Sequence, residues 1–356
     1  MQKIDTTEYI IILMKVKDNQ HVTIFDIAEA LGITPSTVSR ALNNQPNISN
    51  ETKKLVKDCA KRMQYRRNST ASSLRTGKSK TIGVIVPRIN SHFISSVIGG
   101  IESAANKAGY NIIICQSNEN FNAEVKAIST LLSKRIDGML ASISMETTNS
   151  NHFREVLNMN VPLIFFDRSC PDLEVSSVTI DDFKGAYKAT EHLVKQGCRR
   201  IAHFSGNTHL SIYRNRLDGY KRALTNLQIP IEKELIFETD QLTDTMGSKL
   251  IETLYESRNL PDGICSSNDN LAAGAMKFLI EHHVKIPEQI AVVGFSNALF
   301  SQWMTPSLST VDQHSELMGI HAINLLLEEI EQMATGSVAR NIVLNPELII
   351  RESSVR

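Results

Sequence analysis

The sequence predicts two architectures in one chain, a small all-α head and a larger α/β core with two lobes. Residues 22–64 carry apolar side chains at the three- and four-residue spacing of short helices. From Ile82 onward, short apolar strands alternate with helical stretches. At 356 residues the chain also exceeds one average domain, so we expect more than one hydrophobic core.

The head is predicted to contain three short helices with caps. Thr23, Thr34 and Ser49 stand where a hydroxyl caps a helix. Gly32 is expected to end the first helix, and Pro35 to occupy the first position of the second. The predicted inner faces consist of Ile24, Ile27, Ala28, Leu31, Val38, Ala41, Leu42, Leu55, Val56, Cys59, Ala60 and Met63. The first two helices and their tight turn are typical of a helix-turn-helix that reads DNA.

The core is predicted to hold parallel sheets. Its strands are predicted at 82–86, 111–115, 138–142, 161–166, 201–204, 263–266 and 291–295, with helices between them that include 216–227 and 271–282. Continuous apolar runs indicate strands buried on both faces, which is typical of parallel sheets covered by helices. Eight or more such units indicate two lobes, with a ligand cleft at the carboxyl ends of the strands. The loops expected to face this cleft follow Val86, Phe166, Phe204, Ser267 and Phe295.

Charge is distributed unevenly along the chain. The net charge is zero, but residues 14–80 hold 13 Lys and Arg against 5 Asp and Glu, whereas residues 81–356 hold 24 against 31. A basic head on a mildly acidic body is typical of a nucleic-acid-binding domain joined to a second function.

Cysteine usage and hydropathy predict a cytoplasmic protein. The five cysteines are scattered and form no C-x-x-C pair, which argues against a disulfide or zinc framework. No run approaches 18 apolar residues, so no membrane span is expected. Residues 1–21 are interpreted as an N-terminal extension whose apolar patch is too short for a secretory signal.

Catalytic and metal-binding motifs are absent from the sequence. It contains no G-x-S-x-G elbow, no phosphate-binding G-x-x-x-x-G-K-[ST] loop and no H-E-x-x-H. His282 and His283 are adjacent, so they point to different faces of a helix and cannot share a metal. His192 and His203 are interpreted as structural. We therefore expect no enzyme activity, no cofactor and no metal.

Seven motifs together resemble the lac-repressor (LacI/GalR) family of bacterial transcription regulators. They are VTIFDIAEALGITPSTVSRALN at 22–43, Tyr65 with SLRTG at 73–77, TIGVIVP at 81–87, DG at 137–138, VVGF at 292–295, PSLSTV at 306–311 and ELIIRE at 347–352. The resemblance runs from residue 22 to the C-terminus. It implies a helix-turn-helix head, a hinge helix, and a two-lobed core resembling periplasmic sugar-binding proteins.

The resemblance also implies how DNA is read. Base readout in the major groove is expected at Pro35, Ser36, Ser39 and Arg40, and phosphate contacts are expected at Lys53, Lys54, Arg66 and Arg67. Arg40 can bind two acceptors of a guanine, although a phosphate contact remains an alternative. In the family a hinge helix enters the minor groove; here the hinge residues are Ala71, Leu74 and Arg75, with Leu74 as the wedge. The expected partner is a palindromic double-stranded operator.

Effector-binding residues follow from the strand-end rule together with the resemblance. They are His92, Phe93, Asp167, Arg168, Arg216, Asn268, Ser296 and Gln313. Ser296 stands where the family commonly has an aspartate that binds paired hydroxyls, which leaves the ligand open. A sugar or sugar derivative is favoured, and a nucleobase is the alternative.

The complete prediction is a homodimeric, effector-controlled regulator, expected to be a repressor. The alternatives are an activator, or a solute-binding protein without a DNA role. The dimer interface is expected to include Leu271 and Trp303. The predicted divisions are 1–21 extension, 22–64 head, 65–80 hinge and 81–356 core, with lobe one at about 81–178 and 313–341 and lobe two at about 179–312 and 342–356.

Overall fold

The computed structural model describes residues 22–65, 78–170, 172–332 and 338–356. The predicted extension at 1–21 lies outside this part of the chain, as do the predicted contacts at Arg66, Arg67, Ala71, Leu74 and Arg75. Internal contacts divide the chain into two compact units, Met1–Gly77 and Lys78–Arg356.

The head contains helices α1 (Ile24–Leu31), α2 (Pro35–Leu42) and α3 (Asn50–Arg62). At the start of α1, the backbone N–H and the hydroxyl of Thr23 both donate to Asp26 Oδ2, each at 2.7 Å. Gly32 ends α1 at φ 63°, and the Thr34 hydroxyl accepts from the N–H of Thr37 to cap α2. Thr23 and Thr34 therefore occupy the predicted cap positions, and the hydroxyl cap is confirmed for Thr34, whereas the Thr23 hydroxyl donates to the Asp26 carboxylate.

The head core differs from its prediction at one position. Ile27, Val38, Val56 and Cys59 are fully buried, as their helical spacing predicts. Leu55 was expected on the same inner face, but it is 48% exposed. The prediction for Leu55 is wrong because the adjacent Val56 occupies the centre of the inward face of α3, which turns Leu55 toward the flank.

The core unit contains two six-stranded sheets. The strands are β1 (Thr81–Val86), β2 (Asn111–Gln116), β3 (Gly138–Ala141), β4 (Leu163–Phe166), β5 (Ser177–Ile180), β6 (Ile201–Gly206), β7 (Ile236–Thr239), β8 (Gly263–Ser266), β9 (Ala291–Phe295), β10 (Ser309–Asp312), β11 (Asn341–Leu344) and β12 (Glu347–Ile349). The first sheet has the order β11-β5-β4-β3-β1-β2 and is entirely parallel. The second has the order β12-β10-β9-β8-β6-β7, with only β12 antiparallel to its neighbour.

Helices cover both sheets. They are α4 (His92–Lys107), α5 (Phe121–Ser133), α6 (Asn151–Asn158), α7 (Asp182–Lys195), α8 (Ser211–Asn226), α9 (Asp244–Glu256), α10 (Asp269–Glu281) and α11 (Ser315–Gln332). Each sheet and its helices form one lobe, so the predicted two-lobed α/β architecture is confirmed. Within the described residues, none of the helices is both long and apolar enough to cross a membrane.

The division between the lobes differs from the predicted one. The predicted boundaries at 178/179 and 341/342 cut through β5 and β11, yet both strands pair within the first sheet. The chain therefore changes lobe after Ile180, after Asp312 and after Leu344. β5 and β11 are short and only partly buried, so they lack the continuous apolar run that predicted the central strands.

The start of α8 also differs from its prediction. The helix begins at Ser211, not at Arg216. Ile212 and Tyr213 lie in its first turn and are buried against the other lobe, a contact that helical spacing within one segment cannot indicate.

A pair of glycines brings two helices of the first lobe into close contact. A Cβ at Gly100 of α4 would lie 2.2 Å from the carbonyl oxygen of Glu316, and one at Gly319 of α11 would lie 2.1 Å from that of Val97. Only glycine permits this approach, since real side chains do not tolerate such distances. As a result, α11 is held firmly against α4.

Candidate effector cleft and DNA-reading surface

The head presents the predicted base-reading residues on α2. Ser36 and Arg40 are exposed, and Pro35 and Ser39 are half-buried. The guanidinium of Arg40 has no intramolecular hydrogen bond or ion pair among the described residues. The side chain is therefore available to an external acceptor.

A second basic surface lies on α3. Lys54 is exposed and Lys53 is half-buried, and both line a shallow depression together with Lys57. The Nζ of Lys57 donates to Asn44 Oδ1 at 2.7 Å, which holds that ammonium beside the turn after α2. Ammonium groups clustered in this way suit phosphate oxygens.

The core unit has a cavity of about 460 Å³ between its lobes. It lies at the carboxyl ends of the parallel strands, where the topology predicts a ligand site. Seven of the eight predicted effector residues line it, namely Phe93, Asp167, Arg168, Arg216, Asn268, Ser296 and Gln313. His92 does not, because it is the exposed first residue of α4, whereas Phe93 turns inward.

Arg216 is the most highly connected residue of the cavity. Its Nε donates to Asp182 Oδ1 at 2.7 Å, one Nη to the carbonyl oxygen of Ser267 at 2.7 Å, and the other to Gln313 Oε1 at 3.2 Å. The guanidinium also lies over the Phe295 ring, 3.8 Å from its centroid. These contacts come from α7 and from the ends of β8, β9 and β10, so the position of Arg216 depends on the whole second lobe.

Asp182 is a site residue that the sequence reading missed. It is 4% exposed and lies behind Arg216, at the start of α7. Burial raises the pKa of its carboxyl group to about 6, and the guanidinium of Arg216 opposes this rise. Because β5 was not predicted, the strand-end rule did not reach the residues that follow it.

The first lobe contributes a second buried arginine. Arg168 Nη1 donates to Glu119 Oε2 at 2.8 Å, and its Nε lies 3.8 Å from Asp167 Oδ2. That Nε has no hydrogen-bond partner within the described protein. Burial raises the pKa of Asp167, while Arg168 and Arg216 lower it. A polar ligand atom could satisfy the free N–H of Arg168.

Ser296 and Gln313 form the polar edge of the second lobe. Gln313 Nε2 donates to Ser296 Oγ at 2.8 Å, while its Oε1 accepts from Arg216. Ser296 has φ 116°, a left-handed conformation that a serine adopts only under strain. The next turn is held by Asp269, whose carboxylate accepts from Thr310 Oγ1 at 2.6 Å and from the N–H of Ala298 at 2.7 Å. Ser296 is therefore oriented by its neighbours.

Apolar side chains from both lobes also line the cavity. They are Phe93, Ile94, Met145, Ile212, Tyr213 and Leu242. Tyr213 belongs to the second lobe but packs in a hydrophobic cluster composed mainly of first-lobe residues, and its hydroxyl accepts from Arg168 Nη2 at 3.4 Å. His209 adds a further contact between the lobes, since its Nε2 donates to the carbonyl oxygen of Thr147 at 3.0 Å.

The charged groups of the lining balance one another. Its cations are Arg88, Arg168 and Arg216, and each forms an ion pair. Arg88 and Arg168 share Glu119, at 4.0 and 2.8 Å, and Arg216 pairs with Asp182. Arg168 also lies 3.8 Å from Asp167, so each of the two buried guanidiniums, Arg168 and Arg216, has a carboxylate beside it, while Arg88 is 58% exposed.

The two residues predicted for the dimer interface differ in exposure. Trp303 is 76% exposed, beside the partly exposed Leu299 and Phe300. Leu271 is fully buried in the second-lobe core, where a Cβ at Gly247 would lie 2.0 Å from its carbonyl oxygen. The prediction for Leu271 is wrong, because its side chain is buried in the second-lobe core and its backbone packs against Gly247 of α9, so it presents no surface to a partner.

His192, His203 and His282 form structural hydrogen bonds. His282 ends α10, where its Nδ1 donates to the carbonyl oxygen of Phe278 at 2.9 Å. His192 and His203 are buried, hydrogen-bonded to Ser354 Oγ and to the carbonyl oxygen of Cys265. Among the described residues, no group of three His, Cys, Asp or Glu side chains is placed to hold a metal ion.

Two families of known sequences match the chain. The lacI family of bacterial regulatory proteins matches residues 23–68, which begin at the cap of α1. The periplasmic binding protein-like domain matches residues 190–354, which include most of the second lobe.

Whole-length relatives cover both units. The HTH-type transcriptional regulator RegA of Clostridium saccharobutylicum is 31% identical over 336 residues, which is 94% of this chain and 99% of that protein. The HTH-type transcriptional repressor PurR of Actinobacillus pleuropneumoniae serotype 3 is 27% identical over 332 residues, or 93% and 98% of the two chains.

A solved structure has the same fold over nearly the full length. The crystal structure of the lac repressor dimer bound to operator and the anti-inducer ONPF superimposes with a TM-score of 0.85 at 25% identity, covering 95% of this chain and 100% of that one. The capped helix-turn-helix, the paired parallel sheets and these full-length similarities agree, and the chain belongs to the LacI family of bacterial transcription regulators.

Proposed function

We propose that this protein is a transcriptional repressor whose affinity for a palindromic operator is controlled by a small neutral ligand in the cleft between the core lobes. The proposal rests mainly on the contacts of Arg216, a residue of α8 that binds α7 and three strand ends around one cavity. A ligand that contacts both lobes stabilises the arrangement that it fits, and this shifts the equilibrium between conformations.

The balanced charges favour a neutral ligand. The two buried arginines of the lining, Arg168 and Arg216, are already paired with carboxylates, so an anionic ligand would add uncompensated negative charge to a buried site. Alternating donors and acceptors beside apolar side chains suit the hydroxyls and the C–H faces of a sugar. A nucleobase is the second candidate, since the Phe93 and Tyr213 rings offer surfaces for a flat ligand.

Ligand class is tested by thermal unfolding with a panel of neutral mono- and disaccharides, their phosphorylated forms, and nucleobases. We expect one neutral sugar to raise the Tm, since a ligand at 100 times its Kd stabilises the folded state by about 2.7 kcal/mol. The phosphorylated form of the same sugar is the matched control and should give a smaller shift. Stabilisation by the phosphorylated form alone would contradict a neutral effector, and stabilisation by a nucleobase alone would favour the second candidate.

Base readout is proposed for Pro35, Ser36, Ser39 and Arg40, and phosphate contact for Lys53 and Lys54. The hinge residues Ala71, Leu74 and Arg75, with Arg66 and Arg67, remain predictions. The operator is the partner named for the lac repressor structure, and we extend it to this chain from the exposed α2 surface.

Replacing Arg40 with alanine should weaken specific DNA binding by about 1–3 kcal/mol, because a guanidinium that binds one guanine with two hydrogen bonds is lost. The measurement is fluorescence anisotropy with a duplex that the wild-type protein enriches from a random pool. Arg62→Ala is the control, since it removes the same charge from the exposed end of α3. Equal losses for both variants would indicate that Arg40 contributes only general electrostatic attraction.

The protein is proposed to act as a homodimer in the cytoplasm, without catalysis. The exposed apolar patch of Leu299, Phe300 and Trp303 is the surface that we assign to the second copy. The similar lac repressor structure is a dimer on its operator, which agrees with a palindromic site. The proposed divisions are a head at 22–64, a hinge at 65–80 and a core at 81–356, with residues 78–80 at the end of the hinge already part of the compact core unit.

A further inference from the structure

Asp137 belongs to the Asp-Gly motif at 137–138 and does not line the effector cleft. It immediately precedes β3, and its carboxylate binds the first residues of the core unit. Oδ1 accepts from the N–H of Ser79 at 2.6 Å and from the Ser79 hydroxyl at 2.8 Å, while Oδ2 accepts from the N–H of Lys80 at 3.0 Å. One side chain therefore holds both residues at which the chain enters the first lobe.

The backbone at this point is held in an unfavourable conformation. Lys80 has φ 53°, in the left-handed region that favours glycine. Its carbonyl oxygen accepts from the N–H of Asn111 at 2.9 Å, and its ammonium lies 4.1 Å from the centroid of the Tyr110 ring. Hydrogen bonds at both backbone groups, together with the cation–π contact, offset the strain of the turn.

The carboxylate projects from a rigid part of the lobe. The N–H of Asp137 donates to the carbonyl oxygen of Thr81 at 2.8 Å. A Cβ on the next residue, Gly138, would lie 3.0 Å from the side chains of both Leu326 and Ile330. β3 lies inside the first sheet, so Asp137 moves only when the lobe moves.

The packing also relates Asp137 to the effector cleft. Leu326 and Ile330 belong to α11, which begins two residues after the cleft residue Gln313. With 18 residues, the helix spans about 27 Å from the cleft end of the lobe to the end where the chain enters. A displacement of α11 at its cleft end therefore reaches the support of Asp137.

We propose that Asp137 is a positioning residue for DNA binding, which holds Ser79 and Lys80 in a fixed turn and so sets where the segment joining the head to the core begins. The proposal rests on DNA binding by the head and adds a residue outside both the DNA surface and the cleft. A loosened turn enlarges the set of positions open to the head, and ordering them again on DNA lowers affinity.

The second lobe contains a matched control. Asp262 immediately precedes β8, and its carboxylate accepts from the N–H groups of Arg199 and Arg200 at 2.8–3.0 Å. Its own N–H donates to the carbonyl oxygen of Arg200 at 2.8 Å, as that of Asp137 does to Thr81. The arrangement is similar, although Asp262 accepts from no hydroxyl and its own N–H bonds one residue earlier relative to the pair it holds. The segment held by Asp262 joins α7 to β6 within one lobe and leads to no DNA-binding unit.

The test compares Asp137→Asn with Asp262→Asn in the full-length protein. The amide keeps one acceptor oxygen and replaces the other with a donor, so each variant loses hydrogen bonds to a charged group. Hydrogen exchange of the amides at 79 and 80 should accelerate about tenfold or more in Asp137→Asn and stay unchanged in Asp262→Asn. Unchanged exchange in Asp137→Asn overturns the proposal without reference to DNA.

DNA affinity is then measured with a duplex that the wild-type protein enriches from a random pool. We expect about a tenfold loss for Asp137→Asn, less than about twofold for Asp262→Asn, and a similar fall in Tm for both. Ser79→Ala, which removes only the hydroxyl bond, should give a smaller loss of affinity and keeps the test valid if Asp137→Asn folds poorly. Equal losses of affinity in the two aspartate variants overturn the proposal. Failure of the wild-type protein to enrich any duplex contradicts DNA binding itself. The hydrogen-exchange result still shows whether Asp137 fixes the turn at Ser79 and Lys80.

Discussion

Replacement of Arg216 by methionine is expected to lower the free energy of unfolding by about 3–5 kcal/mol at pH 7. Methionine keeps an unbranched side chain but leaves the Asp182 carboxylate buried without its partner, and breaking one half of a buried ion pair is strongly destabilising. The carbonyl oxygen of Ser267 and Gln313 Oε1 also lose their donors. Urea unfolding followed by circular dichroism measures the loss.

The same variant should lose its response to the cleft ligand. The stabilising sugar identified in the wild-type protein should no longer raise the Tm of Arg216→Met, because the side chain that joins both sides of the second-lobe site is gone. Arg214→Met is the matched control, since Arg214 lies on the same helix but is exposed. The control should keep both its stability and its ligand response.

A second variant tests the cause of the destabilisation. Asp182→Asn in the Arg216→Met background removes the unpaired charge, so it should recover part of the lost stability. If the double variant is no more stable than Arg216→Met, then the buried charge is not the reason for the loss. If Arg216→Met is as stable as Arg214→Met, then the ion pair contributes nothing and the assignment of Arg216 fails.

His203 is expected to make the folded protein less stable in acid. Its Nδ1 donates to the carbonyl oxygen of Cys265 at 2.9 Å, which leaves Nε2 as a buried lone pair without a partner in the described chain. Burial therefore lowers the pKa of His203 from 6.5 to about 4. A proton on Nε2 would place a charge in the apolar space beside the Tyr220 ring, whose centroid is 4.8 Å away.

The direction of the pH effect follows from proton linkage. Below pH 6.5 the unfolded chain binds a proton at His203 that the folded chain does not, so stability falls as the pH falls from 6.5 to 4. The contribution amounts to about 3 kcal/mol over this range. Asp182 and Asp269 act in the opposite sense, because their raised pKa values, both about 6, lower stability as the pH rises toward 6.

A comparison of variants isolates the histidine. His203→Phe keeps a ring beside Tyr220 but cannot titrate, and it loses the bond to Cys265 at every pH. Its stability relative to wild type should therefore be lowest near pH 8 and should improve by about 3 kcal/mol on acidification to pH 4. A difference between the two proteins that does not change with pH would mean that His203 is not a neutral buried group.

The head and the central strands were predictable because their signals are local. A cap, a proline or a glycine acts within one turn, and the inward positions of a helix repeat every three or four residues, so both bounds of the first helix and the start of the second were predicted. β8 and β9 were found for a related reason, since a strand buried on both faces is apolar throughout.

The strand-end rule and the family resemblance together located most of the cleft. The rule works because parallel strands end at one edge of a sheet, so residues far apart in the chain are brought together there. It failed at Asp182 because β5 was not recognised, and it placed His92 in the cleft although only its neighbour Phe93 faces inward.

The sequence by itself determined that a helix-turn-helix head precedes a two-lobed α/β core, and that the loops after β1, β4, β8 and β9 line the cleft. The loop after β7, residues 240–243, also lines the cleft and was not predicted. Only the tertiary structure decided that Arg216 pairs with Asp182, that Arg168 pairs with Glu119, and that Leu271 is buried. Partners in these contacts lie 34 and 49 positions apart, so no pattern within one segment encodes them. Burial, which sets the strength of a charge pair and the pKa of a carboxyl, arises only after distant segments have packed together.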